Sequence, residues 1–239
     1  LGDVYKRQAM ELSKRLQAIA DMVPVGSRVA DVGCDHGFLS IYLYEKGISP
    51  KVYAMDVREG PLMRAKEHVA EYGYGDYIEC RLSDGVKELE TGEANVLVCA
   101  GMGGRLMAKI LGDSLRKVSL MDWLILQPQS DLAYFRRFLK DNRFVFQEEN
   151  MVKEDGKFYP MMRVMHGVGA WYGGEFSERI QDAYGPLLLA DRHPVLEDYL
   201  RTVYQRNEGI LAGLGDANRD RREELLKEQA DIRYCLERF

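Results

Sequence analysis

The sequence predicts an α/β protein: a mostly parallel sheet covered by helices on both faces, followed by a small antiparallel helical pair. Three observations carry this. Short apolar runs alternate with segments of helical period from about residue 12 to residue 166, which is the rhythm of repeated strand-helix-strand units. The first three runs end in Gly, Asp or Ser, residues that suit strand-to-helix turns. Beyond residue 167 the apolar residues fall three and four apart, the spacing of a coiled-coil-like seam.

The elements follow in order. Leu12, Leu16, Ile19 and Ala20 sit at helical spacing, and Pro24 with Gly26 closes that helix. Residues 28–32 make a buried first strand, and a helix follows Gly37. A second strand spans 51–56 and a second helix 61–72. Strands at 77–82, 94–100 and 123–127 complete the parallel part, with helices at 104–111 and 132–140. Residues 144–152 and 158–165 flank the turn-forming stretch Glu154-Asp155-Gly156-Lys157, which predicts an antiparallel hairpin closing the sheet.

Gly173-Gly174 marks a candidate hinge. Helices at about 194–213 and 217–237 follow, with a seam of Leu196, Leu200, Val203, Asn207, Ile210 and Leu214 facing Leu225, Gln229, Ile232 and Leu236. The predicted division is therefore 1–9 as a non-native extension, with Met10 opening the native chain, 10–166 as the sheet domain and 167–239 as a helical domain.

Composition narrows the function. The 239 residues are 46% hydrophobic and 30% charged, as in ordinary folded chains and unlike disordered ones. No apolar run approaches the ~18 residues of a membrane span. Cys34, Cys80, Cys99 and Cys235 form no CxxC pair, so a reducing cytoplasm is expected. The net charge of -5 argues against a general polyanion-coating surface, because such binding rests on many Lys and Arg phosphate contacts. Local basic clusters remain: Lys14-Arg15, Arg58, Arg64 to Lys66, Arg105 to Lys109, and Arg136-Arg137. Each is more often a solvated helix face than a phosphate clamp.

The most informative string is Asp31-Val32-Gly33-Cys34-Asp35-His36-Gly37, at the end of the first strand. Ligands of open α/β sheets bind at such strand ends. Gly33 and Gly37 permit a tight turn, but the spacing is D-x-G-x-D-x-G and not the G-x-G-x-x-G that seats a dinucleotide. Asp31 and Asp35 repel a pyrophosphate and suit a cation carrying an ammonium or sulfonium group. S-adenosylmethionine is such a ligand, and a nicotinamide dinucleotide is disfavoured. Asp56 ends the second strand, where a carboxylate can accept from both ribose hydroxyls, and Ser83-Asp84 ends the third, where Asp84 can hold an adenine amino group. Singly, each is as readily a cap or turn former; three strand ends in register form a pocket.

Ala100-Gly101-Met102-Gly103-Gly104-Arg105 follows the fourth strand, where glycine amides and a helix start can converge on an anion. Gln127 and Gln129 offer amides to a base edge. Cys34, Asp35 and His36 are consecutive and cannot converge on one ion, so no metal is expected. No G-x-S-x-G elbow, Walker A loop or H-E-x-x-H helix is present.

Taken together, Leu12-Ser13-Lys14-Arg15-Leu16, Asp31-Val32-Gly33-Cys34-Asp35-His36, Ala100-Gly101-Met102-Gly103-Gly104, Leu124-Ile125-Leu126-Gln127-Pro128 and Glu154-Asp155-Gly156-Lys157 resemble the bacterial tRNA adenine 22 N1-methyltransferase family, TrmK. The resemblance spans about residues 10–166. It implies a class I methyltransferase fold, Rossmann-like with seven strands, S-adenosylmethionine as donor, and a helical C-terminal domain that helps hold tRNA. Two positions depart from the family's pattern: Gln129 stands where Asn is common, and Cys34 where Ser is frequent.

On this resemblance Asp35 accepts a hydrogen bond from the adenine N6 amino group, with His36 and Gln127 as further catalytic candidates. The cofactor set is Asp31, Gly33, Asp35, Gly37, Asp56, Ser83, Asp84, Ala100, Gly101 and Met102. Lys14, Arg15, Arg58, Arg105 and Arg136 are candidate RNA contacts, and a monomer is expected. Two other readings stay open. One is a methyltransferase of another RNA, a small molecule or a protein; the other is a non-catalytic RNA-binding module with a vestigial pocket.

Overall fold

The computed structural model describes residues 10–169, 174–214 and 218–239. The first nine residues and Gly173 of the candidate hinge lie outside them. Seven strands are present among the described residues: β1 (Arg28–Val32), β2 (Lys51–Asp56), β3 (Ile78–Leu82), β4 (Val96–Met102), β5 (Trp123–Pro128), β6 (Phe144–Glu154) and β7 (Lys157–His166). The helices are α1 (Lys14–Asp21), α2 (Phe38–Glu45), α3 (Glu59–Tyr72), α4 (Gly104–Asp113), α5 (Leu115–Val118), α6 (Leu132–Asp141), α7 (Glu178–Tyr184), α8 (Pro186–Ala190), α9 (Pro194–Gly213) and α10 (Arg219–Leu236).

One sheet runs in the order β3-β2-β1-β4-β5-β7-β6. β1 to β5 are parallel, and β7 runs antiparallel to both β5 and β6. Side chains along the parallel strands alternate between the two faces. In β4, Val96 and Val98 face the side covered by α1, α2 and α3, where Ile19, Ile41, Ala65 and Val69 pack. Leu97 and Cys99 face α4 and α6, against Met107, Leu111, Phe135 and Leu139. Both faces being buried explains why these strands read as unbroken apolar runs.

A third core joins the hairpin to the C-terminal helices, with Met151 of β6 among Ile180, Tyr184, Leu188, Leu196, Leu200 and Ile232. α9 and α10 pair antiparallel, as shown by Tyr204 Oη accepting from Arg233 (3.2 Å) and Glu228 Oε2 accepting from Asn207 Nδ2 (2.7 Å). Their seam is shorter than expected. Leu196, Leu200, Val203 and Asn207 are buried against Leu225, Gln229, Ile232 and Cys235, whereas Ile210 is exposed.

Three short helices escaped the sequence reading. α5, α7 and α8 have four, seven and five residues, too few to show a helical period. β4 also runs on to Met102, with a bulge between Ala100 and Met102, so the glycine-rich stretch starts inside the strand. All four cysteines are unpaired. No described helix is long and apolar enough to cross a membrane.

Candidate active site

Chain order reverses beside β1: β2 and β3 lie to one side, β4 and β5 to the other. The carboxyl ends of the strands around such a switch point leave a crevice that neither set of helices covers. Here it is a cleft of about 480 Å³.

Its floor is the turn after β1. The N–H groups of Gly33 and Cys34 both donate to Met55 O, at 2.8 and 3.0 Å, tying the turn to β2. Gly33 has φ +78°, the left-handed conformation that favours glycine, and a Cβ there would also displace the Met102 side-chain tip, 2.2 Å away. Asp35 is held at φ 49°, a left-handed conformation that costs a non-glycine residue about 1–2 kcal/mol and that Asp tolerates better than most. Its side chain is 57% exposed at the cleft mouth, 3.8 Å from His36 Nε2. Gly37 starts α2 and does not line the cleft.

Behind the turn, Asp31 is 4% exposed, and its Oδ2 accepts from Ser40 Oγ at 2.6 Å. Burial pushes its carboxyl up to about 6; the Ser40 hydrogen bond works against this, and the charge of Asp56 adds to it. Asp56, at the end of β2, is equally buried. Its Oδ1 accepts from the Arg58 N–H at 2.9 Å and its Oδ2 from the Asp35 N–H at 3.4 Å. After β3, Ser83 Oγ donates to Gly85 O (2.8 Å) and accepts from the Glu88 N–H (3.2 Å), so its hydroxyl shapes the turn. Asp84 lines the cleft and pairs with Lys87, whose hydrogen bond holds the carboxyl below its ordinary value. Ala100, Gly101 and Met102 form the wall from β4.

Two expectations need correction. Gln127 is fully buried, and its Oε1 accepts from Arg15 Nη1 (3.0 Å) and from the Gly101 N–H (3.2 Å). It supports the cleft from behind and does not face it; Gln129 lines it instead. Strand parity could have shown this, because Gln127 shares the face of Ile125, which packs toward α1. Arg136 is 1% exposed, with Nε on Glu149 Oε1 at 3.1 Å and Nη1 on the carbonyls of Asp182 and Ala183. A guanidinium buried among such partners is not available to an RNA phosphate.

The other basic candidates are accessible to different degrees. Lys14 is exposed, with Nζ on Lys153 O. Arg58 is 70% exposed and 3.6 Å from Asp56. Arg105 is similarly exposed, paired with Asp131 at 3.0 Å, and lies over the Tyr134 ring. Arg15 is drawn inward by Gln127.

The sequence reading missed the walls. Val57, Leu106 and Ile110 line the cleft, and Val57 and Leu106 are exposed apolar residues. It also missed an aromatic stack at the adjoining recess, which His36 and Phe38 line. The Phe38 ring lies 5.5 Å from His36 and 5.0 Å from His68, and His68 Nδ1 is 2.9 Å from His36 O. His68 belongs to α3 and carries no motif that would single it out.

Residues 12–162 match the family described as a methyltransferase domain. The tRNA (adenine(22)-N(1))-methyltransferase of Bacillus subtilis is 32% identical over 224 residues, which cover 93% of this chain and 94% of the relative. The chain belongs to that family. Among solved structures, the B. subtilis tRNA methyltransferase TrmK superposes with a TM-score of 0.84 at 29% identity, over 95% of this chain and 99% of that one. A Streptococcus pneumoniae protein solved in complex with S-adenosyl-L-methionine gives 0.84 at 32% identity, over 95% and 100%.

The cleft of this TrmK-family chain fits such a donor by its own chemistry. A buried carboxylate at the end of β2 can receive a ribose diol, apolar Val57, Leu106 and Ile110 can flank an adenine, and Asp35 can face a cationic group. The turn at Gly33 lets backbone approach without a side chain between.

Proposed function

We propose that this chain methylates N1 of an adenine in tRNA, adenine 22 as in the family it belongs to, with S-adenosylmethionine as donor. The observation that carries the reading is the placement of Asp35, held in a left-handed conformation beside a cleft that Asp56 also lines, with the Asp35 N–H on Asp56 Oδ2. Asp56, Asp84, Asp31 and the backbone of Gly33, Ala100 and Gly101 would hold the cofactor, which supplies an electrophilic methyl group on a sulfonium.

Adenine N1 already carries an in-plane lone pair, so no base has to remove a proton before attack. The protein's task is orientation and electrostatics. As the N1–CH3 bond forms and the S–CH3 bond breaks, the ring becomes cationic. Asp35 accepts a hydrogen bond from the N6 amino group and stabilises that charge. His36, against Phe38, helps to position the base. A stacked base must be extruded first, at a cost of a few kcal/mol.

Residues 10–166 act as the catalytic domain and 167–239 as an arm that steadies the RNA. Lys14, Arg58 and Arg105 contact phosphates at the rim. The chain acts as a monomer, and the bacterial cytoplasm is the setting in which tRNA is modified. The test is transfer of labelled methyl to unmodified bacterial tRNA, to total protein and to small-molecule extract in parallel. Label in tRNA as N1-methyladenosine is expected; label in another fraction alone would overturn the acceptor.

A further inference from the structure

We infer that Arg15 is the counter-charge for the carboxylate at the amino-acid end of the methyl donor, and not an RNA contact. The inference rests on the reading of the cleft as the donor's site. It starts from an imbalance. Asp35, Asp56 and Asp84 face the cleft, whereas Arg15 and Arg58 are the cations that line it. Arg58 lies beside Asp56 at the end of β2, and Asp84 is satisfied by Lys87.

Arg15 is different. Its guanidinium is partly withdrawn from water, with Nη1 on the neutral Gln127 amide at 3.0 Å and its Cζ 5.6 Å over the Tyr159 ring. Among the described residues no carboxylate pairs with it. A partly desolvated cation held by an amide and a ring lacks the counter-ion such groups normally have.

Its place says what that counter-ion is. Arg15 lines the main cleft and also the adjoining recess formed by Gly33, Asp35 and His36, and Nη1 lies close to Gly101 at the end of β4. On the reading above, the ribose and adenine of the donor fall to Asp56 and Asp84. The amino-acid half carries one ammonium and one carboxylate; acidic groups abound for the first, and Arg15 is the lining cation without a carboxylate partner for the second.

The position is built from two directions. The Glu154 carboxylate accepts from the backbone N–H of Lys14 (2.6 Å) and of Arg15 (3.4 Å), pinning the start of α1 to the β6–β7 turn. Gln127 then orients the guanidinium, its Oε1 shared with the Gly101 N–H. Gln127 is thus a positioning residue for Arg15.

The test is calorimetric binding of S-adenosylmethionine and of its decarboxylated analogue, which differ only in the carboxylate. Wild-type protein is expected to prefer the intact donor. In Arg15→Ala that affinity falls by about 10- to 100-fold, the range for losing a charge-assisted pair, while the analogue binds as well as before or better. Gln127→Leu reduces the preference in part, and Arg15→Lys retains part of it. Equal weakening of both ligands in Arg15→Ala and Arg15→Gln would overturn the inference. So would unchanged affinity for both with weakened tRNA binding, which would return Arg15 to the RNA surface. Wild-type protein that binds neither ligand would sink the cofactor reading itself, a failure visible before any variant is made.

Discussion

Arg136 and Glu149 form a buried ion pair, Nε to Oε1 at 3.1 Å, where the sheet meets the C-terminal helices. Arg136 donates to the last carbonyls of α7 and Glu149 accepts from the first N–H groups of α8, those of Leu187 and Leu188. Each charge therefore sits at the helix end that favours it. Gly185 between the two helices has φ +100°, and a Cβ there would lie 2.7 Å from the Glu149 carboxylate.

Arg136→Ala should lower stability by about 3–5 kcal/mol, because it leaves a buried carboxylate without its cation. Burial already raises the Glu149 carboxyl above its ordinary value. Replacing both partners with apolar residues of similar volume should recover much of the loss. Urea unfolding of the single and double variants checks this; a single variant as stable as wild type would contradict it.

Asp31 makes stability depend on pH. Its folded value of about 6 lies above the ordinary 3.8, so the native state binds more protons than the unfolded chain between those limits. Its stabilising contribution is complete below about pH 4 and is lost as the pH rises through 6. Asp31→Asn should therefore be more stable than wild type at pH 7.5, by about 3 kcal/mol, and no more stable at pH 3.5, while binding the donor more weakly. Unfolding curves at the two pH values decide it.

Asp35→Asn and Asp35→Ala should both lower kcat by about 100-fold, the scale for losing one group that stabilises developing charge. S-adenosylhomocysteine affinity should stay within about twofold. The two should differ in stability, with Ala about 1 kcal/mol worse because it tolerates φ 49° less well than Asn. Single-turnover kinetics with parallel thermal denaturation separates these effects.

Much of this was legible in the sequence. Parallel strands buried on both faces must be apolar throughout, so β1, β2, β4 and β5 announced themselves, and Asp31, Gly33, Asp35 and Asp56 followed from strand ends. What stayed hidden depended on distance along the chain. Arg136 looks like any surface arginine until Glu149 and the end of α7 are brought to it. Glu154 reads as a turn residue because its partners, the N–H groups of Lys14 and Arg15, lie about 140 positions away.

RNA binding should be salt-dependent. Replacing Arg58 and Arg105 together with Ala should make the log–log slope of tRNA affinity against salt shallower by about 1–2, since each phosphate contact on a single strand contributes roughly 0.7. Filter binding across a salt series measures it, and an unchanged slope would remove both residues from the interface.

The most direct test of the account is methyl transfer to two unmodified tRNA transcripts, one with adenine at position 22 and one with guanine there, followed by nucleoside mass spectrometry. N1-methyladenosine is expected in the first transcript and none in the second. Equal methylation of both would contradict the assignment of the target, and label in neither, with donor binding intact, would contradict tRNA as the acceptor.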